Sequence, residues 1–192
     1  MSEIRAILGL GNPGEEYAHT RHNVGYMVVD RLIEKFRGSW RPGRGEFYYA
    51  PIKIGGHDLI LLRATTYMNI SGVGARDAAA QFDLRPEEFL VILDDFAIPF
   101  GTLRLRRSGS DGGHNGLASV IFHLGTQKIP RLRVGIGPLP EGVSSVDFVL
   151  SDFSPEEQEK LPEIISRAAE ATEVAVVRGI ERAMELYNRK IE

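Results

Sequence analysis

Short apolar runs alternate along this chain with stretches of helical periodicity. "IRAILGL" at 4–10 is apolar and bounded by glycine, the pattern of a buried strand. From Asn23 onward, Tyr26, Met27, Val29, Ile33 and Phe36 recur at helical spacing, and Gly38 offers a stop. "FYYAPIKI" and "HDLILLRA" flank Gly55-Gly56 and predict a hairpin. The alanine-rich "SGVGARDAAAQF" predicts a helix, and "FLVILDD" predicts a strand ending in two carboxylates. "GTLRLRR" alternates apolar and basic residues, so one face of that strand is charged. "NGLASVIFHLG" reads as a short amphipathic helix closed by Gly125, and "RLRVGIG" as a further strand. "SPEE" at 154–157 matches a capping box with Pro155 at the first helical position. It opens a helical region over 154–189, expected to break near Pro162.

Strands alternate with helices, and no repeat or low-complexity linker interrupts them. This predicts an α/β fold: one domain over 1–192, with a twisted, mostly parallel mixed sheet and helices on both faces. In such sheets ligands bind beyond the carboxyl ends of the strands. The polar motifs of this chain fall just after strands.

Composition narrows the picture by exclusion. With 192 residues, 43% hydrophobic and 26% charged, the chain is ordinary for a soluble domain. It has no cysteine, which removes disulfides, thiolate-bound zinc and thiol nucleophiles together. No apolar run approaches the length of a signal peptide core or a membrane span, so a soluble cytoplasmic protein is expected. The formal net charge of −3 means that any nucleic-acid contact must come from a local patch.

"GLGNPG" at 9–14 fits the dinucleotide fingerprint G-x-G-x-x-G, and Asp30 stands at nearly the right distance for a ribose-binding acid. Two points argue against that reading. The helix should begin inside the glycine motif, to aim its N-terminus at a pyrophosphate, but polar "EEYAHTR" intervenes here. Asp30 also falls mid-helix rather than after a second strand. The glycines then read as a tight turn needing positive φ.

"YAHTRHNVG" at 17–25 places His22 on a loop after the first strand, between Arg21 and Asn23, which are expected to fix the loop. Asp94 and Asp95 end the most apolar strand. A partly desolvated carboxylate there can accept an imidazole N–H, set the tautomer and leave the other nitrogen as a base. Taken alone, Asp94 also reads as a cap or turn residue. Asn12, Asn69 and Asn115 sit at chain breaks. Each alone reads as a turn residue. Together they offer uncharged donors and acceptors, suited to a substrate that contains an amide. No G-x-S-x-G elbow supplies a nucleophile. His19 and His22 form only an H-x-x-H pair on an irregular loop, so no metal is expected. A histidine base activating water remains, worth about 10²–10⁴-fold, which suits an activated ester better than an amide. Arg104, Arg106, Arg107, Arg131 and Arg133 read either as a solvated strand face or as a phosphate-binding patch beside "SGSDGGHNG".

These pieces together resemble the bacterial-type peptidyl-tRNA hydrolase family. The resemblance is carried by "GLGNPGEEYAHTRHNVG", "TTYMNISG", "DDFAIPFG", "GSDGGHNGL" and "RLRVGIG", in that order, and covers nearly the whole chain. It implies a cytosolic, monomeric enzyme without metal or other cofactor, which hydrolyses the ester between a peptide and the terminal ribose of tRNA. By position, it implies that His22 is the catalytic base and Asp94 its orienting partner. It gives Asn12 contact with the peptide amide, separating N-blocked from free aminoacyl substrates. Asn69 and Asn115 would hold the peptide and the tRNA end, and Tyr17, Tyr67 and Met68 would be walls of that cleft. Arg106 and Arg133 fall where the family has tRNA-backbone cations. The segment 141–153 resembles a mobile lid. Ala97 departs from the family, many members of which carry an acid there, and Tyr67 stands where Phe is common. The alternative class is a tRNA- or RNA-binding module without catalysis.

Overall fold

The computed structural model describes residues 3–188. In chain order its elements are β1 (Ala6–Gly9), α1 (Val24–Lys35), β2 (Arg41–Pro42), β3 (Phe47–Ile54), β4 (His57–Ala64), α2 (Ser71–Phe82), β5 (Phe89–Pro99), β6 (Leu103–Arg106), α3 (Asn115–Leu124), β7 (Arg131–Gly137), α4 (Ser145–Val149), α5 (Pro155–Arg178) and α6 (Ile180–Tyr187). The strands form one sheet in the order β2-β3-β4-β1-β5-β7-β6. The central β4, β1, β5 and β7 run parallel, while β2, β3 and β6 join antiparallel at the edges. The predicted hairpin pairs Ile54 with His57. Its turn needs left-handed backbone twice, at Gly55 (φ 55°) and Gly56 (φ 83°).

Successive strand residues face opposite ways, and two apolar clusters result. Ile7, Leu90 and Ile92 pack with Val28 and Leu32 of α1 and Ala168 and Ala175 of α5. Ala6, Leu8, Val91 and Leu93 face Ala75 and Ala78 of α2 and Leu117 and Val120 of α3. The expected mixed α/β sheet with helices on both faces is therefore present. No helix among the described residues is long and apolar enough to cross a membrane.

The structure corrects three local expectations. The strand expected to end at the two carboxylates continues to Pro99 as β5, with a register shift against β7 between Asp95 and Pro99. The C-terminal helix does not break at Pro162: α5 runs through it for 24 residues. Pro162 takes an N–H from the ladder, but it lies on the exposed side of the helix, where water reaches the freed carbonyl. The break comes at Gly179 (φ 92°), and the expected end at Arg189 lies outside the described residues. Thirdly, only Gly14 of the "GLGNPG" glycines has positive φ. Gly9 serves close approach instead: a Cβ there would stand 2.5 Å from the Gly25 carbonyl oxygen. Gly25 in turn sits under Ile92, where a Cβ would be 2.4 Å from a carbonyl oxygen. The glycines let the start of α1 lie against the ends of β1 and β5.

Candidate active site

β1, β4 and β5 bring polar groups toward or just beyond their carboxyl ends, as ligand sites in such sheets require, while β7 contributes Arg131 and Arg133 from its first half. The chain leaving β1 makes a short turn at Glu15–Tyr17 and another at Arg21–Asn23 before α1 begins at Val24. The helix therefore begins outside the glycine motif, and its N-cap residue Asn23 is already committed to Asn12 of that turn, so the dinucleotide reading fails in the structure as it does in the sequence. Asp30 faces outward, 3.7 Å from Arg63.

His22 and Asp94, expected to meet, do so: His22 Nδ1 lies 2.8 Å from Asp94 Oδ2. The His22 side chain is 13% exposed and that of Asp94 2%. A second imidazole, absent from the sequence reading, holds the other carboxylate oxygen. His114 Nε2 lies 2.8 Å from Asp94 Oδ1. His114 caps α3, where its Nδ1 accepts the Leu117 N–H at 3.1 Å. That bond settles the tautomer: Nδ1 carries no proton, so Nε2–H donates to Asp94. His22 correspondingly donates through Nδ1–H, and its Nε2 has no partner among the described residues. Burial opposes the Asp94 charge, but the two imidazoles outweigh it, His114 foremost, and hold its pKa well below the usual carboxylate range.

His22, Asp94 and His114 bring ligand-type atoms within 4.8 Å of one another. They do not fit a metal as they stand. Both nitrogens facing the carboxylate carry protons, and turning His114 would cost its cap on α3. His19, the other half of the H-x-x-H pair, is exposed and outside this group.

Asn23 fixes the His22 loop against the first turn. Its Oδ1 accepts the Asn12 N–H at 2.8 Å and its Nδ2 donates to the Asn12 carbonyl at 2.9 Å. Asn12 is buried, and its Oδ1 accepts the Met68 N–H at 2.7 Å. Its amide is thereby oriented, and Nδ2 has no acceptor among the described residues. Tyr67 is 55% exposed and meets the Tyr17 ring edge-on at 6.1 Å. Met68 itself is buried in the core, and what it presents here is its main-chain N–H. Asn69 and Asn115 are exposed.

A cavity of about 220 Å³ opens on the other flank of His22, lined by Asp94, His114, Asn115, the glycine loop 109–113, the α4 residues Val146 and Val149, and Arg106, Arg131 and Arg133. The pairing of β6 with β7 sets Arg104 opposite Arg133 and Arg106 opposite Arg131. Like charges opposite one another weaken a ladder, so this edge favours an anion. The arginines are not equivalent. Arg131 is 2% exposed, and its guanidinium donates to the carbonyls of Ile129, Ser110 and Gln127. Burial, then Arg133 and Arg106, push its pKa down to about 10. It braces the glycine loop. Arg133 reaches Asp95 Oδ2 at 3.3 Å and keeps a buried Nε without partner among the described residues. Arg106 is exposed. Ala97, where an acid was noted as common, lines the cavity and donates its N–H to Asp95 Oδ1.

The family model for peptidyl-tRNA hydrolase matches residues 6–192. A peptidyl-tRNA hydrolase of Gloeobacter violaceus is 46% identical over 189 residues, covering 98% of this chain and 96% of the relative. That of Aquifex aeolicus is 43% identical over 190 residues, covering 98% of each. The crystal structure of peptidyl-tRNA hydrolase from Acinetobacter baumannii superposes with a TM-score of 0.90 at 34% identity, over 98% of this chain and 96% of that one. With the sheet, the paired imidazole and carboxylate and these likenesses in agreement, the chain belongs to the peptidyl-tRNA hydrolase family.

Proposed function

We propose that this protein hydrolyses the ester that joins a peptide, or an N-blocked amino acid, to the terminal ribose of tRNA, with His22 as general base. The observation that carries the reading is the His22–Asp94 bond of 2.8 Å, which commits Nδ1 and leaves Nε2 free at the cavity. A water held by Nε2 loses a proton to it as its oxygen attacks the ester carbonyl. The tetrahedral centre then collapses, the C–O bond to ribose breaks, and the imidazolium returns the proton to the departing ribose oxygen. Asp94 holds the ring and stabilises its charged form, and His114 keeps Asp94 ionised and in place. No covalent acyl-enzyme is needed.

Asn12 Nδ2 donates to a carbonyl of the peptide, and Asn69 and Asn115 hold the chain on either side of the ester. Tyr17 and Tyr67 offer an aromatic wall for the peptide. Arg106 and Arg133 meet the tRNA backbone near its acceptor end, with the cavity between them and His22 taking the terminal nucleotides. The segment 141–153, which includes α4, closes over that cavity as a lid. The protein acts as a monomer in the cytoplasm.

The test compares N-acetyl-aminoacyl-tRNA with free aminoacyl-tRNA, using wild type and His22→Ala. Rapid release from the blocked substrate alone, abolished by the substitution, supports the reading. Tight RNA binding with no turnover in the wild type refutes it in favour of a binding module.

A further inference from the structure

The tripeptide Arg21-His22-Asn23 sends three adjacent side chains to three parts of the site. His22 takes Asp94 and Asn23 takes Asn12. Arg21 turns the other way, into the segment that follows β7. We propose that Arg21 is a positioning residue that seats α4, a wall of the substrate cavity, opposite His22, so that substrate affinity depends on it. The proposal rests on the hydrolase reading above.

The contacts all run from the catalytic loop to that segment. The Arg21 N–H donates to the Ser151 carbonyl at 3.0 Å, and Thr20 bridges to Asp152. The guanidinium forks: Nη2 bonds Glu157 Oε1 at 2.7 Å and Nη1 bonds Ser151 Oγ. Its flat face lies 4.3 Å from the centre of the Phe148 ring. Glu157 cannot drift, because the same Oε1 accepts the Ser154 N–H at 2.9 Å in the capping box of α5. Arg21 thus ties the fixed start of α5 to the short helix α4.

α4 has only five residues, too few to hold a place by its own hydrogen bonds. Phe148 is its buried side, under the guanidinium, while Val146 and Val149 line the cavity that contains His22. Any shift of Phe148 therefore reshapes the cavity. Lysine cannot substitute here. It would keep one charge for Glu157 but lacks both the second donor of the fork and the planar face.

The experiment measures kcat and KM of wild type, Arg21→Lys and Ser151→Ala on N-acetyl-aminoacyl-tRNA, with thermal midpoints and amide hydrogen exchange. For Arg21→Lys, KM is expected to rise about tenfold, the loss of one good contact, with kcat within about threefold and the pH–rate profile unmoved. Amides of 145–151 should exchange faster while β1 and β5 stay protected. Ser151→Ala, which removes only the hydroxyl and keeps the main-chain bond to Arg21, should move KM in the same direction and serves should Arg21→Lys not fold. An unchanged KM with only a lowered melting point overturns the proposal, as does a fall in kcat with a displaced pH profile. A wild type without turnover instead refutes the hydrolase reading.

Discussion

At the scale of single residues, the site turns on one carboxylate serving two imidazoles. Replacing His114 by Ala removes the donor to Asp94 Oδ1. Burial then weighs more heavily on the carboxylate, its pKa rises, and its grip on His22 weakens. The expected result is a kcat lower by at least about tenfold in a folded enzyme, the scale of a lost charge-assisted bond, read by single-turnover hydrolysis. An unchanged kcat would remove His114 from the chemistry. Asn12→Asp keeps the acceptor for the Met68 N–H but replaces the free donor by an anion. Turnover of the blocked substrate should fall more than that of free aminoacyl-tRNA, shrinking the ratio between the two kcat/KM values. The sequence made His22 and Asp94 legible because His22 falls in a polar loop after the first strand and Asp94 closes the apolar run "FLVIL". His114 was hidden because "GGHNG" drew the eye to its asparagine, and histidine is not a favoured helix cap. A clue was present: a buried carboxylate has two oxygens, and one loop histidine satisfies only one of them.

At the scale of elements, most boundaries followed from periodicity, and the misses have local causes. β5 outran the reading because charges usually end a buried strand. Here both oxygens of the Asp94 carboxylate are satisfied in place by two donors, so "FAIP" continues the ladder. α5 outran it because Pro162 faces solvent rather than the core. The glycines of "GLGNPG" were read as turn formers, yet Gly9 permits contact, and so does Gly25 of α1. Gly25→Ala should therefore overpack the crossing of α1 with β1 and β5, costing about 1–3 kcal/mol. That corresponds to a fall in thermal midpoint of about 2–4 °C per kcal/mol for a chain of this size. A neutral or stabilised variant would contradict the close approach.

At the scale of the whole molecule, the net charge of −3 coexists with a cationic edge built by pairing β6 against β7. Binding of tRNA should be salt-dependent, with a slope set by local contacts rather than by net charge. Arg106→Gln is expected to reduce that slope by about one unit, measured by titrating affinity against salt. The residue pattern did not rank the five arginines and the family resemblance singled out Arg106 and Arg133; folding separates a brace, Arg131, from the exposed Arg106. Acid stability follows from the carboxyl groups whose folded pKa is lowered, Glu88, Asp94 and Glu157. Both Asp94 and Glu157 have folded pKa values below their ordinary 3.8 and 4.5, the latter because burial is outweighed by the Ser154 N–H and Arg21. Their stabilisation is fully present above those ordinary values and is lost as pH falls through the lower folded ones. The thermal midpoint should drop below about pH 4.5, and Glu157→Gln should flatten part of that drop. Equal acid sensitivity in the variant would contradict the Arg21–Glu157 pairing.

The two imidazoles that share Asp94 differ in what they can offer a reagent. His114 has both ring nitrogens engaged, one by its helix and one by the carboxylate, whereas His22 lines the cavity with one nitrogen that has no partner among the described residues. An acylating label entering the cleft should accordingly mark residue 22 and leave residue 114 untouched. The chemistry of a bottle reagent thus becomes a map of which nitrogen the fold has left for work.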